Sequence, residues 1–264
     1  MPRSLLIAPL AALLLAGCAA QPNNPSFPVS VEKADRDMGR MAADSRPLCR
    51  TLVVIGGLMD PGISSVVMAD RFRSVTHDDR IVTLSVFECC TFEQMRQKII
   101  GAVERAAPCD DPKQTTEVDV VGYSLGGLAA RYAALPPPDG KGRRLRIARL
   151  FTISTPNRGA LAAEKLPLLH PLQYSLRHGS PVMEKVNASP PGYPIYSYVR
   201  LGDYAVGVEN AAPPGQSPWW LPTPPFEGAH EGAFFDARIL ADISRRLRAE
   251  KPIAASPPQS LPVE

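Results

Sequence analysis

The chain has 264 residues, 45% of them hydrophobic and 21% charged, with a formal net charge of +3. That length and apolar content suffice to bury one sizeable core, and a single domain of about 200 residues is the expectation. A near-balanced charge, without any Lys/Arg-rich block interleaved with aromatics, excludes an electrostatic nucleic-acid binder. The short basic run Arg143-Arg144-Leu145-Arg146 reads as a solvated loop flank.

Taken in order, the chain opens with Arg3 and the apolar run Leu5–Leu15, too short to span a bilayer and placed like a targeting segment. Residues 1–17 are therefore set outside the fold. Residues 18–50 hold proline breakers and then a charged stretch, Val31–Ala43, read as a helix; together they form a tether and lead-in. Thr51–Ile55 is a buried-type strand running into Gly56-Gly57-Leu58-Met59-Asp60-Pro61-Gly62. A helix over Ser64–Val75 follows, then a β-branched strand over Arg80–Phe87. Thr91 caps a helix reaching Ala107, with Ile99, Ile100 and Val103 on one face. Val118–Val121 is the next strand, and a small-residue helix after it is stopped by Pro136-Pro137-Pro138. Leu145–Ser154 and Tyr193–Gly202 read as strands and Phe234–Arg248 as the last amphipathic helix. Residues 251–264, rich in Pro and Ser, read as a disordered tail. Strand and helix alternate from residue 51 onward, which predicts a parallel α/β sheet.

The informative stretch is Gly122-Tyr123-Ser124-Leu125-Gly126, between the apolar strand and the small-residue helix. A G-x-S-x-G in that context is a nucleophile elbow: a sharp turn that lifts the serine hydroxyl above the sheet edge. A serine hydroxyl is a weak nucleophile and needs a base beside it. Of the four histidines, His77 lies in a charged turn and His170 and His178 among the prolines and leucines of a presumed cap. His230, just before the last helix, is the candidate base.

From these residues the chain resembles an α/β-hydrolase of the bacterial lipase/esterase kind, over about residues 51–250. Three further segments carry the resemblance: Thr155-Pro156-Asn157-Arg158-Gly159, similar to the T-P-H-x-G segment; Asp203-Tyr204-Ala205-Val206, similar to the D-x-x-V segment; and Gly228-Ala229-His230-Glu231-Gly232, similar to the histidine loop. The resemblance implies a mostly parallel central sheet with helices on both faces, a small cap or lid insert at about 159–191, and chain order Ser, acid, His. It assigns Ser124 as nucleophile, His230 as base and Asp203 as acid, with Glu209 and Asp236 as rival acids. It also implies an oxyanion hole from the N–H groups of Leu58 and Leu125. The departure is Gly56, where such lipases commonly carry histidine, which leaves open how the loop around Leu58 is braced.

Leu15-Ala16-Gly17-Cys18 resembles the lipobox of bacterial lipoprotein signals. This implies cleavage before Cys18, its lipidation, and anchoring in the periplasm or at the cell surface. Ala19 points to the outer membrane. The fold resemblance also sets the strands after Cys49 and Cys109 side by side, implying a Cys49–Cys109 disulfide, with Cys89 and Cys90 free or a vicinal pair. The leucine-rich insert and Trp219-Trp220-Leu221 read either as a lid and acyl-binding wall or as a packed cap. No metal-ligand cluster, phosphate loop or dinucleotide fingerprint is present, so no cofactor is expected. The implied activity is hydrolysis of small-molecule or lipid carboxylic esters. An acyltransferase or thioesterase on the same residues, or a non-catalytic lipoprotein scaffold, are the alternatives.

Overall fold

Leu52–Ile55 is apolar and buried along its whole length, as a strand must be when helices cover both faces of a sheet. The computed structural model describes residues 22–262, apart from residues 45, 139, 168, 169 and 189. The expected leader and Cys18 lie outside the described residues. Six strands, β1 (Leu52–Ile55), β2 (Ile81–Leu84), β3 (Val118–Tyr123), β4 (Ile147–Ile153), β5 (Ile195–Arg200) and β6 (Trp219–Leu221), form one sheet in the order β2-β1-β3-β4-β5-β6. Every neighbouring pair is parallel, so all six strands end at the same edge. On one face lie α1 (Val31–Ala43), α2 (Ile63–Thr76) and α8 (Ala237–Leu247). On the other lie α3 (Phe92–Ala106) and α4 (Leu125–Ala134), with the short insert helices α5 (Leu161–Lys165), α6 (Leu172–Ser175) and α7 (Pro181–Asn187). With its serine elbow between β3 and α4, this is an α/β-hydrolase fold.

Local chemistry explains most boundaries. Thr91 starts α3 through a reciprocal capping box: its hydroxyl accepts from Gln94 N (3.2 Å) and Gln94 Oε1 accepts from Thr91 N (3.1 Å). The strand expected over Arg80–Phe87 stops at Leu84, because the Ser85 hydroxyl turns to donate to the Asp60 carbonyl (2.7 Å). The last helix starts at Ala237 because Asp236 caps it, accepting from Arg238 N at 2.9 Å.

Three expectations are corrected. Residues 252–262 are docked, not disordered: Ala254 is buried, Ala255 N donates to Ser26 O (2.7 Å), and the indoles of Trp219 and Trp220 donate to carbonyls of Ala255 and Ser260. The same bonds show why Trp219-Trp220-Leu221 is no acyl-binding wall. It is the buried edge strand β6, covered by the tail. Finally, Cys49, Cys89, Cys90 and Cys109 are all free, against the expected Cys49–Cys109 bridge. Cys49 lies close to Arg80 and to Arg149, whose guanidinium reaches α8, whereas Cys109 follows α3 on the opposite face.

The insert is a packed cap. Leu172, Leu176, Met183 and Val186 are buried in the same cluster as α3 and α4. Arg131 of α4 adds a polar tie, donating to Asn157 Oδ1 (2.9 Å), Asn187 Oδ1 (2.9 Å) and Val186 O (3.1 Å). Its burial lowers the guanidinium to about 10. Leu168 and Leu169 of this insert lie outside the described residues.

Asp242 fastens the tail. Its buried carboxylate accepts from the Tyr198 hydroxyl (2.6 Å), Arg246 Nε (2.8 Å) and the backbone N–H groups of Ile253 (2.6 Å) and Ala254 (2.8 Å). Asp242→Ala strands all four donors and is expected to lower unfolding free energy by about 3–5 kcal/mol. Urea denaturation checks this; a loss under about 1 kcal/mol would show that the hub is dispensable.

Candidate active site

The site is built on the edge where the parallel strands end. β3 delivers Ser124 with φ 50° and ψ −124°, a conformation that costs an ordinary residue about 1–3 kcal/mol. The turn closes because Gly126 packs its Cα against β1: a Cβ there would lie 2.4 Å from the Ile55 carbonyl oxygen and 2.5 Å from that of Gly56.

The three residues singled out in the sequence come together. Ser124 Oγ lies 3.1 Å from His230 Nε2, and His230 Nδ1 lies 3.0 Å from Asp203 Oδ2 and 3.1 Å from Oδ1. A carboxylate only accepts, so Nδ1 carries the proton and donates, which leaves Nε2 free to accept from the serine hydroxyl. Asp203 is 1% exposed, and its Oδ1 also accepts from Ala205 N and Val206 N at 3.1 Å each. Burial pushes this carboxyl up. The His230 contact, the Val206 N–H and the adjacent Ser154 hydroxyl outweigh that and hold it below the usual carboxylate value of 3.8. The rival acids are elsewhere: Asp236 is committed to Arg200 and Arg238, and Glu209 lies on a one-turn helix, Val208–Ala211.

The remaining histidines have local tasks. His77 ends α2 in a left-handed conformation, His170 Nδ1 accepts from Leu172 N (3.2 Å), and His178 Nδ1 lies 2.8 Å from Arg158 O.

Leu125 N–H is the first of α4 and has no carbonyl one turn back to bond. Across the cleft, Gly57 packs on Ser124, where a Cβ would come within 3.2 Å of the serine Cβ; Leu58 follows directly and is half-buried against the core. Asp60 braces this loop in place of a histidine. Its carboxylate accepts from Gly62 N (2.9 Å), Ile63 N (2.7 Å), Ser64 N (3.2 Å) and the Ser64 hydroxyl. A Cβ on Gly56 would lie 2.5 Å from Asp60 Oδ2, so any side chain at 56 would expel the brace.

Sequence reasoning missed the groups that hold His230. The Tyr123 hydroxyl donates to the His230 carbonyl (3.2 Å), and the two rings lie 5.3 Å apart. Arg200, the last residue of β5, is buried; its guanidinium donates to Asp236 Oδ2 (2.7 Å), Glu227 Oε2 (2.7 Å) and Gly228 O (3.4 Å), and Gly232 packs directly on it. One side chain therefore grips the histidine loop on both sides of His230, from the strand that leads to Asp203. An arginine at a strand end gives no such signal by itself, because its partners come from a distant loop.

Among the described residues no cluster of His, Cys, Asp or Glu is arranged to hold a metal ion, and no helix is long and apolar enough to cross a membrane. No family model matches the chain, and no curated protein does. Among solved structures it is similar to phospholipase PlaB from Legionella pneumophila in complex with thio-NAD, at TM-score 0.46 and 12% identity, covering 75% of this chain. The chain spans 57% of the length of that phospholipase. It is also similar to a protein of Lactobacillus plantarum WCFS1 named as a cell surface hydrolase (TM-score 0.40, 13% identity, 78% of this chain and 93% of that one). A third is human thioesterase 2 (TM-score 0.35, 16% identity, 74% of this chain and 97% of that one). Scores of this size leave the chemistry to be read from the side chains.

Two outcomes test the site. Arg200→Met is expected to lower kcat about tenfold to a hundredfold on any substrate turned over, with KM little changed, because His230 loses its register. Arg200→Lys should recover part of that, and a matching rise in KM would instead mean a substrate contact. The second concerns acid stability. In Asp236, burial raises the carboxyl, and Arg238 and Arg200 overcome this to hold it below 3.8. A depressed value contributes stability above the unfolded pKa and loses it as pH falls through the folded one. The stability gap between wild type and Asp236→Asn should hold from neutrality to about pH 4 and shrink below it. Urea midpoints against pH read this directly, and a gap that closes near neutrality contradicts the sign.

Proposed function

We propose that the chain is a serine hydrolase that cleaves carboxylic esters through an acyl-enzyme. The observation that carries this is the pair of contacts on His230, at 3.1 Å to Ser124 Oγ and 3.0 Å to Asp203 Oδ2. Ser124 Oγ attacks the ester carbonyl carbon as its proton passes to His230 Nε2, and Asp203 stabilises the imidazolium that forms. The N–H groups of Leu58 and Leu125 receive the negative charge that develops on the carbonyl oxygen. The alcohol then leaves with the proton from Nε2. Water, deprotonated by the same nitrogen, attacks the acyl-serine and releases the acid, restoring Ser124. Anchoring through a lipidated Cys18, at the periplasmic or outer surface, belongs to the same proposal, as does a small-molecule or lipid ester as substrate.

A fluorophosphonate probe should label the wild type covalently and leave Ser124→Ala unlabelled. Asp203→Asn, which removes the negative charge and replaces one acceptor oxygen by an NH2 donor that favours the wrong tautomer of His230, is expected to lower kcat on p-nitrophenyl esters by about 10²- to 10⁴-fold. Equal labelling of Ser124→Ala, or no labelling of the wild type, would return the chain to the scaffold alternative.

A further inference from the structure

We infer that the cavity beneath the C-terminal end of α4, at the sheet edge opposite Ser124, is a second ligand site that takes the carboxylate of a small aliphatic acid. The site stands whether or not Ser124 cleaves esters.

The first observation is a buried cation without an acid. Arg131 is 3% exposed, and its hydrogen-bond acceptors among the described residues are neutral oxygens of Asn157, Asn187 and Val186. The other buried arginines, Arg96, Arg200, Arg238 and Arg248, each lie within ion-pair distance of a carboxylate. A buried charge left without a counter-ion is costly. The three bonds of Arg131 also leave two of its five N–H groups unused. Even lowered to about 10 by burial, the guanidinium is a cation at neutral pH.

The second observation is the space it borders. Arg131 lines a cavity of about 420 Å³, a volume ordinary for small-ligand sites, together with Arg144, Arg146 and Tyr193. Glu117, the acid of this cavity, is already held by Arg50 at 2.7 Å and Arg146 at 3.3 Å. Arg144 is exposed and pairs with no carboxylate among the described residues. The Tyr193 phenol is raised to about 12 by burial, against the pull of Arg131, so it keeps its proton as a donor. The charge left over is that of two guanidinium groups, with a phenol beside them.

The third observation selects the ligand. Leu135, Leu145, Ile147 and Val186 give the same cavity apolar walls. A bare inorganic anion leaves those walls wet. A carboxylate on a short hydrocarbon stem covers them and presents two oxygens to the guanidinium fork.

Its position separates the ligand from the chemistry. Glu117 precedes β3, Leu145 precedes β4 and Tyr193 precedes β5, so the cavity lies where the strands begin. Ser124 stands at the far end of β3, whose six residues span about 20 Å. Arg131 also holds Asn157, which follows β4, and Asn187, which ends α7. A carboxylate that neutralises this guanidinium therefore acts as an effector that fixes the cap to α4 and stabilises the folded chain.

The test uses the full chain with sodium hexanoate as probe, read by titration calorimetry and thermal unfolding. Hexanoate should bind once per chain and raise the melting temperature saturably. Neither 1-hexanol, nor inorganic phosphate, nor sodium chloride at equal ionic strength should do so. Arg131→Met removes the central cation but strands three carbonyl oxygens, so two gentler variants carry the test. Arg144→Glu reverses an exposed wall charge and should weaken binding at least about tenfold. At Gly192, on the cavity wall, an added Cβ meets nothing within 4 Å, so Gly192→Leu should fold normally and obstruct the site. Ser124→Ala should bind hexanoate as tightly as the wild type.

No saturable binding, an affinity unchanged in both Arg144→Glu and Gly192→Leu, or equal binding of 1-hexanol would overturn the inference. Phosphate binding as tightly as hexanoate would contradict the choice of an organic acid. Binding lost in Ser124→Ala but kept in Arg144→Glu would put the carboxylate at the catalytic edge as a bound product, and the second site would fall.

Discussion

The approach of α4 to the end of β1 is the constraint from which the site follows. Gly126 lies against the carbonyls of Ile55 and Gly56, and this fixes how far the elbow can rise above the sheet. With that contact in place, the first N–H of α4 and the loop from Gly57 to Asp60 are held on opposite sides of Ser124. The loop is kept there by a carboxylate, Asp60, that occupies the space beside Gly56. The absence of a histidine at position 56 is therefore a change of brace and not a loss of one. A carboxylate accepting three backbone N–H groups is a stiff element, since each bond fixes a different peptide of the turn.

The opposite wall depends on buried charge. Arg200 and Asp236 are both almost wholly buried, and an ion pair in that position gains little net stability over apolar packing. Its value is directional. A guanidinium has a planar fork of donors, and here the fork meets Asp236 on one side of the histidine loop and Glu227 on the other. An apolar side chain of similar volume would fill the space without fixing the loop's register. The same reasoning applies to Asp242, which joins β5, α8 and the tail through four donors.

What was legible in the sequence was whatever depends on local pattern. The apolar run Leu52–Ile55, the Thr91 cap and the charged helix Val31–Ala43 are decided by near neighbours in the chain, and each stands as read. Ser124, Asp203 and His230 were legible because their order and context are distinctive, and their side chains meet. What was illegible depends on distant partners. The Pro/Ser-rich tail has the composition of a disordered segment, yet it is ordered by Asp242, Ser26 and two indoles, none of them near it in sequence. Cys49 and Cys109 precede the neighbouring strands β1 and β3, yet both stay free: Cys109 sits nine residues before its strand, just after α3, so the adjacency of the strands does not carry over to the cysteines.

The distribution of backbone strain argues independently for the strand-end edge as the working part of the molecule. Among the described residues six other than glycine have positive φ; His77 ends α2 and Ala249 follows α8, where left-handed residues are commonplace. The other four, Met59, Ser124, Ser154 and Phe226, follow β1, β3, β4 and β6. None of them ends a helix, so none has the usual structural reason for the conformation. Ser124 is the proposed nucleophile, Ser154 puts a buried hydroxyl beside Asp203, Met59 follows the proposed oxyanion donor Leu58, and Phe226 immediately precedes Glu227, which Arg200 holds. Strain of about 1–3 kcal/mol at each position persists only where the surroundings over-determine it. Here those surroundings are the Asp60 turn, the Arg200 grip and the Gly126 contact. The fold thus concentrates its least favourable backbone and its most specific buried charges at the same edge, which is the arrangement expected when geometry at that edge is selected for chemistry and the remainder for stability.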